Sequence, residues 1–263
     1  MTCRKCGHTI AGASVLSTQS SFSPAAAVPA RKTRPGDITA AGSRAGKSHV
    51  KDFPGVEWSI WECAIYGALI LGTLILSNIV LKGHPGATAF GLLAYAIALF
   101  APIISMKYHG QKLSSLGFTA KGFRSGMLLT IVVGFLLFFL SFISTAISIK
   151  LFMPKGVGTQ FSFFSSLLAA VVLAPISEET YFRGYLYPAL RNRMNMPLAM
   201  LLDGLIFASF HLLPGWQYGF ASRAIGGMGL SYLYEKTGSL YSSMLVHAVF
   251  NLGIILAGVF FII

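Results

Sequence analysis

Long stretches of apolar residues alternate with short polar connections along most of the chain. About seven of them approach or exceed the roughly 20 residues that a helix needs to cross a bilayer. They cover 60–80, 88–106, 127–149, 161–190, 196–213, 220–234 and 240–263. The sixth is rich in glycine and gives the weakest pattern. We therefore predict an all-α fold, a polytopic transmembrane helix bundle of about seven spans.

The fourth apolar stretch is too long for one straight span. Residues 161–190 would form a helix of roughly 45 Å at about 1.5 Å per residue. Pro175 lies near its middle and lacks a backbone N–H donor, which predicts a kink or break at this point. Glu178 and Glu179 follow directly. Distorted backbone beside two acids can open room for water within the membrane.

Composition and charge agree with a membrane protein. Hydrophobic residues make up 54% of the chain and charged residues only 11%, which is unusual for a soluble domain. The net charge of +12 could indicate a nucleic-acid partner, but the positions of the charges indicate topology instead.

If the N-terminus is cytoplasmic, basic residues concentrate on the cytoplasmic side, as the positive-inside rule describes. The opposite side then carries only Lys82, Lys150 and Lys155. We expect a multi-pass integral membrane protein with a cytoplasmic N-terminus, the lipid bilayer as a partner and no nucleic acid. The cytoplasmic side would receive Arg4, Lys5, Arg31, Lys32, Arg34, Arg44, Lys47, Lys51, Lys107, Lys112, Lys121, Arg124, Arg191, Arg193 and Lys236.

The chain divides into a polar tail, residues 1–57, and a membrane domain, residues 58–263. The tail from residue 9 to about 50 is rich in small, polar and basic residues, so it cannot bury enough apolar surface to fold and is predicted to be largely disordered. Its composition, with no acid before Asp37, also resembles an organellar transit peptide.

Three cysteines are too few for a disulfide scaffold. Cys3 and Cys6 form a CxxC pair of the kind that supplies half of a zinc ribbon, with His8 as a further candidate ligand. Four ligands are usual, so the pair either binds zinc or iron, alone or between two chains, or remains as two reduced thiols. Cys63 is predicted to be a small packing residue.

The adjacent acids Glu178 and Glu179 are the strongest indication of function. A charge inside hydrocarbon costs several kcal/mol and is rarely kept without a partner or a task. On a helix, Glu179 and Arg183 are four residues apart and share a face, whereas Glu178 points about 100° away. We predict that Arg183 neutralises Glu179 and that Glu178 is free for chemistry. The alternative is a purely structural network of buried charges.

Two later apolar stretches carry histidines. His211 ends the fifth stretch, and His247 shares one face of the last stretch with Asn251, four residues further on. A single histidine in an apolar helix is more often a packing residue. Asp203, eight residues before His211, either orients its ring or is a capping or interfacial acid.

Glu178, His211, His247 and Asn251, if they meet, contain the groups needed to hydrolyse an amide. A carboxylate can act as general base towards water, and an imidazole can protonate the leaving amine. A second imidazole and a side-chain amide can stabilise the oxyanion. Two histidines and a carboxylate can equally bind a catalytic zinc ion with an open position. The residues alone leave both mechanisms open.

Three short motifs on separate apolar stretches resemble those of one protease family. The CPBP (CAAX protease and bacteriocin-processing) intramembrane proteases, which include the type II CaaX prenyl endopeptidase, show similar motifs in the same order and spacing. Residues 233–240 are similar to the family's turn before its last motif, and the resemblance extends over about residues 60–263. The motifs are Glu178-Glu179-x-x-x-Arg183, Phe207-x-x-x-His211 and His247-x-x-x-Asn251.

The resemblance implies a catalytic cavity within the membrane and a role for each motif residue. Glu178 and His211 would activate the water, and His247 and Asn251 would form the oxyanion hole. The favoured mechanism requires no cofactor, although zinc at the Glu and His cluster is the alternative. The substrate would be a prenylated CaaX protein or another membrane-associated protein or peptide. Three residues would support the site: Glu179, Arg183 and Phe207.

Two other functional classes fit the same polar residues. In a transporter, buried Glu, Arg and His side chains could form a proton or ion path. A membrane scaffold could keep the protease fold without turnover and act through its basic tail. A carrier would show flux coupled to pH, whereas a peptidase would lose activity when Glu178 is replaced by glutamine.

Overall fold

The computed structural model describes residues 55–152, 167–212 and 219–262, and these residues form helices and turns without a strand. The all-α prediction is confirmed for this part of the chain. The predicted metal-binding pair Cys3 and Cys6, together with His8, lies outside the described residues.

The first part of the bundle contains four helices. Helix α1 (Ile60–Ile75) begins at a capping box in which Ser59 and Glu62 exchange hydrogen bonds, and it continues into a π-helical turn, Leu76–Val80. Helix α2 (Ala87–Tyr108) packs against α1. The short helix α3 (Ala120–Ser125) leads into α4 (Met127–Phe152).

Two π-helical turns interrupt the regular α-helix in the described part of the fourth apolar stretch, and Pro175 predicted a distortion near the first of them. A π-helical turn, Ala169–Leu173, directly precedes α5 (Ala174–Tyr181), which has Pro175 in its first turn. A second π-helical turn, Phe182–Leu186, precedes α6 (Tyr187–Arg191). Each π-helical turn is followed by a proline, Pro175 or Pro188, which has no N–H to donate to the preceding turn.

The last three helices complete the bundle around α5. They are α7 (Met196–Ser209), α8 (Phe220–Thr237) and α9 (Leu240–Ile262). Helix α9 packs along α4, and α7 packs along α8. A Cβ added at Gly204 or Gly227 would lie closer than 3.0 Å to backbone atoms of the facing helix. Glycine therefore permits the close approach of α7 and α8, a common arrangement in membranes.

Four of the described helical segments are long and apolar enough to span a membrane, fewer than the seven predicted. They are Ile60–Val80, Ala87–Tyr108, Met127–Phe152 and Leu240–Phe261, and Met196–Ser209 is a shorter apolar helix. These four spans support an integral membrane protein. A count of seven and a cavity within the membrane are not confirmed.

A buried ion pair joins α6 to α8 at the end of the broken segment. Arg191 donates from Nε to Oε2 of Glu235 at 2.9 Å and from Nη2 to Oε1 at 2.7 Å. Tyr187 donates to Oε2 of the same carboxylate at 2.7 Å. These hydrogen bonds with Glu235 raise the pKa of Arg191 above its ordinary value. The pair connects α6 to the C-terminal end of α8.

Candidate active site

The two acids of α5 lie in different environments. Glu179 is fully buried, whereas the side chain of Glu178 is 16% exposed. Consecutive residues on a helix point about 100° apart, so the two carboxylates have separate neighbours. This difference is the basis for assigning them different tasks.

Glu179 is held by two cationic or proton-donating side chains. Nη1 of Arg183 donates to Oε1 of Glu179 at 2.8 Å, across one turn of helix. Nδ1 of His247 lies 2.7 Å from the same oxygen. Since a carboxylate can only accept, Nδ1 of His247 carries the proton. The predicted pairing of Glu179 with Arg183 is confirmed, and His247 is an additional partner.

Arg183 connects this acid to α7 and α8. Its Nη2 donates to the carbonyl oxygen of Gly227 at 2.9 Å, and its Nε lies 3.3 Å from Oδ2 of Asp203. The guanidinium carbon is also 4.6 Å from the centre of the Phe207 ring. One arginine thus joins three helices through its planar fork of donors.

Asp203 takes a position that differs from both sequence-based expectations. It is fully buried, and its Oδ2 accepts a hydrogen bond from Ser231 at 2.6 Å and faces Arg183. It therefore neither orients the His211 ring nor caps a helix at the interface. The prediction was wrong because helical spacing shows which face a residue occupies but not which neighbouring helix covers it.

Glu178 faces two imidazoles, that of His211 just beyond the end of α7 and that of His247 in α9. Its Oε2 lies 3.7 Å from Nε2 of His211 and 3.8 Å from Nε2 of His247. Both distances exceed a direct hydrogen bond, and Oε2 makes no hydrogen bond to the described residues. A water placed between these atoms can contact the carboxylate and an imidazole together. The structure thus brings three of the four predicted catalytic residues together.

His211 is held with one nitrogen facing Glu178. Its Nδ1 lies 2.9 Å from the carbonyl oxygen of Phe207, one turn earlier. A carbonyl can only accept, so Nδ1 carries the proton and Nε2 of the neutral ring offers a lone pair. This lone pair is directed to the same side as the Glu178 carboxylate.

Phe207 supports the site by packing. Its ring centre is 4.8 Å from that of His211 and 5.5 Å from that of His247, the latter in an edge-to-face arrangement. It is 3% exposed. The ring therefore restricts both imidazoles and shields the Arg183 guanidinium from lipid.

Asn251 lies one turn beyond His247, but its contact is elsewhere. Its Nδ2 donates to the carbonyl oxygen of Ala170 at 2.7 Å. Ala170 belongs to the π-helical turn before α5, where backbone acceptors lack their regular partners. An amide NH₂ has two N–H groups, so one remains for another acceptor.

Two residues near Glu178 were missed from the sequence. Arg223 in the first turn of α8 and Tyr95 in α2 each interact electrostatically with Glu178. Arg223 is 7% exposed. A basic residue inside a predicted span is the same signal that identified the glutamates, so Arg223 could have been found. Tyr95 gives no such signal, because tyrosine is common in apolar helices.

No group of three or more His, Cys, Asp and Glu side chains in the described residues is arranged to hold a metal ion. The side chains nearest to such a group are Glu178, His211 and His247. Their histidines have the Nδ1 partners that metal-bound histidines usually have. The donor types therefore fit a divalent metal, while the observed arrangement is not a closed ligand set.

Comparison with known proteins gives one match, to a family model. The family model described as "Type II CAAX prenyl endopeptidase Rce1-like" matches residues 160–253, a range that contains all three motifs. No curated protein and no solved structure gives a significant match to the chain. The family match supports a peptidase that acts in a membrane. Residues 160–253 are thus similar to the type II CAAX prenyl endopeptidase Rce1-like family, and this match supports the resemblance to CPBP proteases that the three motifs indicate.

Proposed function

We propose that this protein is an intramembrane endopeptidase that uses a water molecule activated by Glu178 and His211. The observation that supports it most is the position of the Glu178 carboxylate, 3.7 Å from Nε2 of His211 and 3.8 Å from Nε2 of His247. Glu178 belongs to the matched family region. Oε1 of its neighbour Glu179 accepts from Arg183 and His247, and Glu179 is fully buried, so we assign Glu179 to support of the site.

Activation of the water follows from the hydrogen-bond roles. A water between Glu178 and His211 meets two acceptors, the carboxylate and the Nε2 lone pair, and can donate one hydrogen to each. This arrangement directs an oxygen lone pair of the water to the substrate carbonyl. As the C–O bond forms, Glu178 takes a proton from the water. That proton then passes to the leaving nitrogen as the C–N bond breaks.

Stabilisation of the oxyanion is assigned to α9. Nδ1 of His247 already carries a proton and donates it to Glu179. In this proposal Nε2 is protonated as well, and the charged ring donates from Nε2 towards the Glu178 side. The free N–H of Asn251 is the second donor in this proposal. Removing one preorganised donor of this type lowers the rate by a factor of about 10²–10³.

A catalytic metal is the alternative at the same residues. Glu178, His211 and His247 would hold it, and it would supply Lewis acidity towards the substrate carbonyl and the water. The favoured mechanism assigns no step to a metal. The two mechanisms predict different effects of a metal chelator: it should abolish cleavage only if the mechanism uses a metal.

The proposed substrate is a protein with a prenylated CaaX-type C-terminus held in the bilayer. Apolar side chains exposed on the surface, such as Leu69, Phe100 and Phe135, suit contact with lipid tails. The excess of basic residues predicted on one side supports a cytoplasmic N-terminus. A cytoplasmic origin of substrate agrees with that orientation.

Cleavage of defined peptides tests the proposal. Purified protein in lipid nanodiscs is incubated with farnesylated CaaX peptides, their unprenylated forms and an unrelated membrane peptide, and products are identified by mass spectrometry. We expect cleavage of the farnesylated peptide that persists with a chelator and is lost in Glu178→Gln. Loss with the chelator and recovery with zinc would support the metal version. Absence of cleavage in every sample would contradict the peptidase proposal.

A further inference from the structure

The connection between α2 and α4 exposes a group of cations. Residues 107–125, named here the basic segment, include the end of α2, a 3₁₀ turn and α3. Four of their side chains are exposed and basic: Lys107, Lys112, Lys121 and Arg124. None of the four forms an ion pair with a carboxylate of the described residues. The described part of the chain therefore leaves the positive charge of this surface uncompensated.

The acids at this end of the bundle are mostly paired with other side chains. Glu62 lies 3.0 Å from Nε2 of His109, and Glu235 forms its ion pair with Arg191. Among the described acids at this end, Glu57 is the exposed one. Four exposed cations beside one exposed acid give the surface an excess of positive charge, which suits an anionic partner.

The basic segment lies at the boundary between membrane and water. It joins α2 to α4, and both helices are long and apolar enough to span a bilayer. Tyr108 is 85% exposed and Leu113 is 48% exposed, and each is adjacent in sequence to one of the cations. Exposed aromatic and aliphatic side chains next to cations are typical of segments that lie against lipid headgroups. This position favours lipid over a soluble partner.

The inner face of the basic segment is fixed to the start of α9. Leu116 is fully buried, and the carbonyl oxygen of Gly117 accepts from the N–H of Leu240 at 2.8 Å. Oγ of Ser239 donates to the carbonyl oxygen of Thr119 at 2.7 Å. A fixed segment loses little conformational entropy when it binds a partner. Its exposed cations are therefore preorganised for binding.

An apolar groove between α1 and α2 approaches the basic segment from the membrane side. Its lining includes Leu69 of α1 and Leu93, Phe100 and Ile104 of α2. Lys107 follows Ile104 by three residues and lies on the same face of the helix. An acyl chain in the groove and a phosphate beside Lys107 can therefore belong to one lipid molecule.

We propose that the basic segment binds anionic lipid headgroups, and that an acyl chain of one bound lipid occupies the groove between α1 and α2. Lysine and arginine donate charge-assisted hydrogen bonds to phosphate oxygens. Each cation near an anionic membrane surface strengthens binding by about fivefold. Because the segment is bonded to the start of α9, bound lipid should also stabilise the folded protein. The inference does not depend on the peptidase function.

Lipid binding to the purified protein tests the inference. The protein in uncharged detergent is titrated with phosphatidylglycerol or phosphatidylcholine, and bound lipid is counted by native mass spectrometry. We expect the wild type to bind phosphatidylglycerol about 100-fold more tightly and to melt at a higher temperature in its presence. Replacing Lys121 and Arg124 together by glutamine should weaken phosphatidylglycerol binding by about 25-fold.

A matched variant removes two charges from the other end of the bundle. Lys82 and Lys150 are exposed there, and replacing both by glutamine should leave the affinity for phosphatidylglycerol unchanged. Ala96→Trp places a large side chain in the groove, so it should weaken lipid binding without removing a charge. Glycerol phosphate carries the phosphate without an acyl chain, and it should neither bind as tightly nor raise the melting temperature as much.

The inference is wrong if the wild type binds both lipids equally, or if the folded variant of Lys121 and Arg124 keeps the wild-type affinity. An equal loss in the variant of Lys82 and Lys150 would indicate an effect of net charge alone and would also contradict it. Equal stabilisation by glycerol phosphate would indicate a soluble anion site, and tighter binding of an acidic peptide would indicate a protein partner; either result overturns the proposal. If the variant of Lys121 and Arg124 does not fold, replacing Lys107 and Lys112 by glutamine provides the same test with the same expected loss.

Discussion

Helix α4 and the helices around α5 are both embedded in apolar sequence, yet they satisfy their polar residues in different ways. In α4, Ser141 donates to the carbonyl oxygen of Phe138, and Thr130 donates to that of Gly126. Both acceptors belong to the preceding turn of backbone. Around α5, Thr180 also donates to its own helix, but the charged side chains find partners on other helices, as Glu179 does with His247.

The difference follows from the size of the desolvation cost. A hydroxyl can satisfy its one donor within its own helix, so it needs no neighbour. A buried carboxylate or guanidinium has more groups to satisfy and a far larger cost of burial. Charged residues in a membrane helix therefore fix how helices pack, whereas hydroxyl residues leave packing free.

Arg183→Met should be the most damaging change to folding. It leaves Glu179 and Asp203 buried without their shared cation, and breaking such a network costs about 3–5 kcal/mol. Thermal unfolding in detergent measures the loss. Adding Glu179→Gln to this variant should restore part of the stability. Equal stability of Arg183→Met and wild type would show that the network does not hold the helices together.

His211→Ala should reduce activity strongly with little effect on folding. The ring is 29% exposed and its one direct hydrogen bond is to the Phe207 carbonyl, so its removal should cost little stability. We expect kcat/KM to fall by about 10²–10⁴ and the melting temperature to change little. His109→Ala is the matched control, since His109 pairs with Glu62 in α1 at 3.0 Å. Activity retained in His211→Ala would remove His211 from the mechanism.

Asn251→Leu separates a catalytic from a structural amide. Loss of the hydrogen bond leaves the Ala170 carbonyl without its donor, at a cost of about 1–3 kcal/mol. If Asn251 also stabilises the oxyanion, kcat should fall by a factor of about 10²–10³ in addition to the loss of stability. Unfolding and steady-state kinetics on the same sample measure both effects. A fall in stability with full activity per folded molecule would assign Asn251 to the backbone alone.

A pair of serine variants gives the smallest effect and the closest comparison. Ser231 and Ser141 are both fully buried, but only Ser231 donates to a charged group, Asp203. Ser231→Ala should cost about 1.5–3 kcal/mol and Ser141→Ala about 0.5–1.5 kcal/mol. Equal costs in unfolding experiments would contradict the distinction between hydrogen bonds across helices and hydrogen bonds within one helix.

The sequence predicted the features that depend only on residues close together in the chain. Apolar runs located the segments Ile60–Val80 and Met127–Phe152 closely, and Pro175 marked a break. The pairing of Glu179 with Arg183 followed from their spacing by one helical turn. These features need only the geometry of a single helix.

Contacts between helices could not be predicted from the sequence, because they depend on the orientation of each helix about its own axis relative to its neighbours. The spacing of His247 and Asn251 placed them on one face, but it could not show that one contacts Glu179 and the other Ala170. Asp203 was assigned to the wrong neighbour for the same reason. The predicted count of seven spans is not confirmed either, since within the described residues α7 is shorter and α8 is more polar than the four helices that are long and apolar enough to span a membrane.

The central claim is that two adjacent glutamates have separate tasks, and one comparison tests it most directly. Cleavage of a farnesylated CaaX peptide is measured per folded molecule for Glu178→Gln and Glu179→Gln, alongside thermal unfolding of both. We predict that Glu178→Gln melts like the wild type and loses about 10²–10⁴ in rate, whereas Glu179→Gln is the less stable variant. A Glu178→Gln protein that cleaves at the wild-type rate would contradict the account.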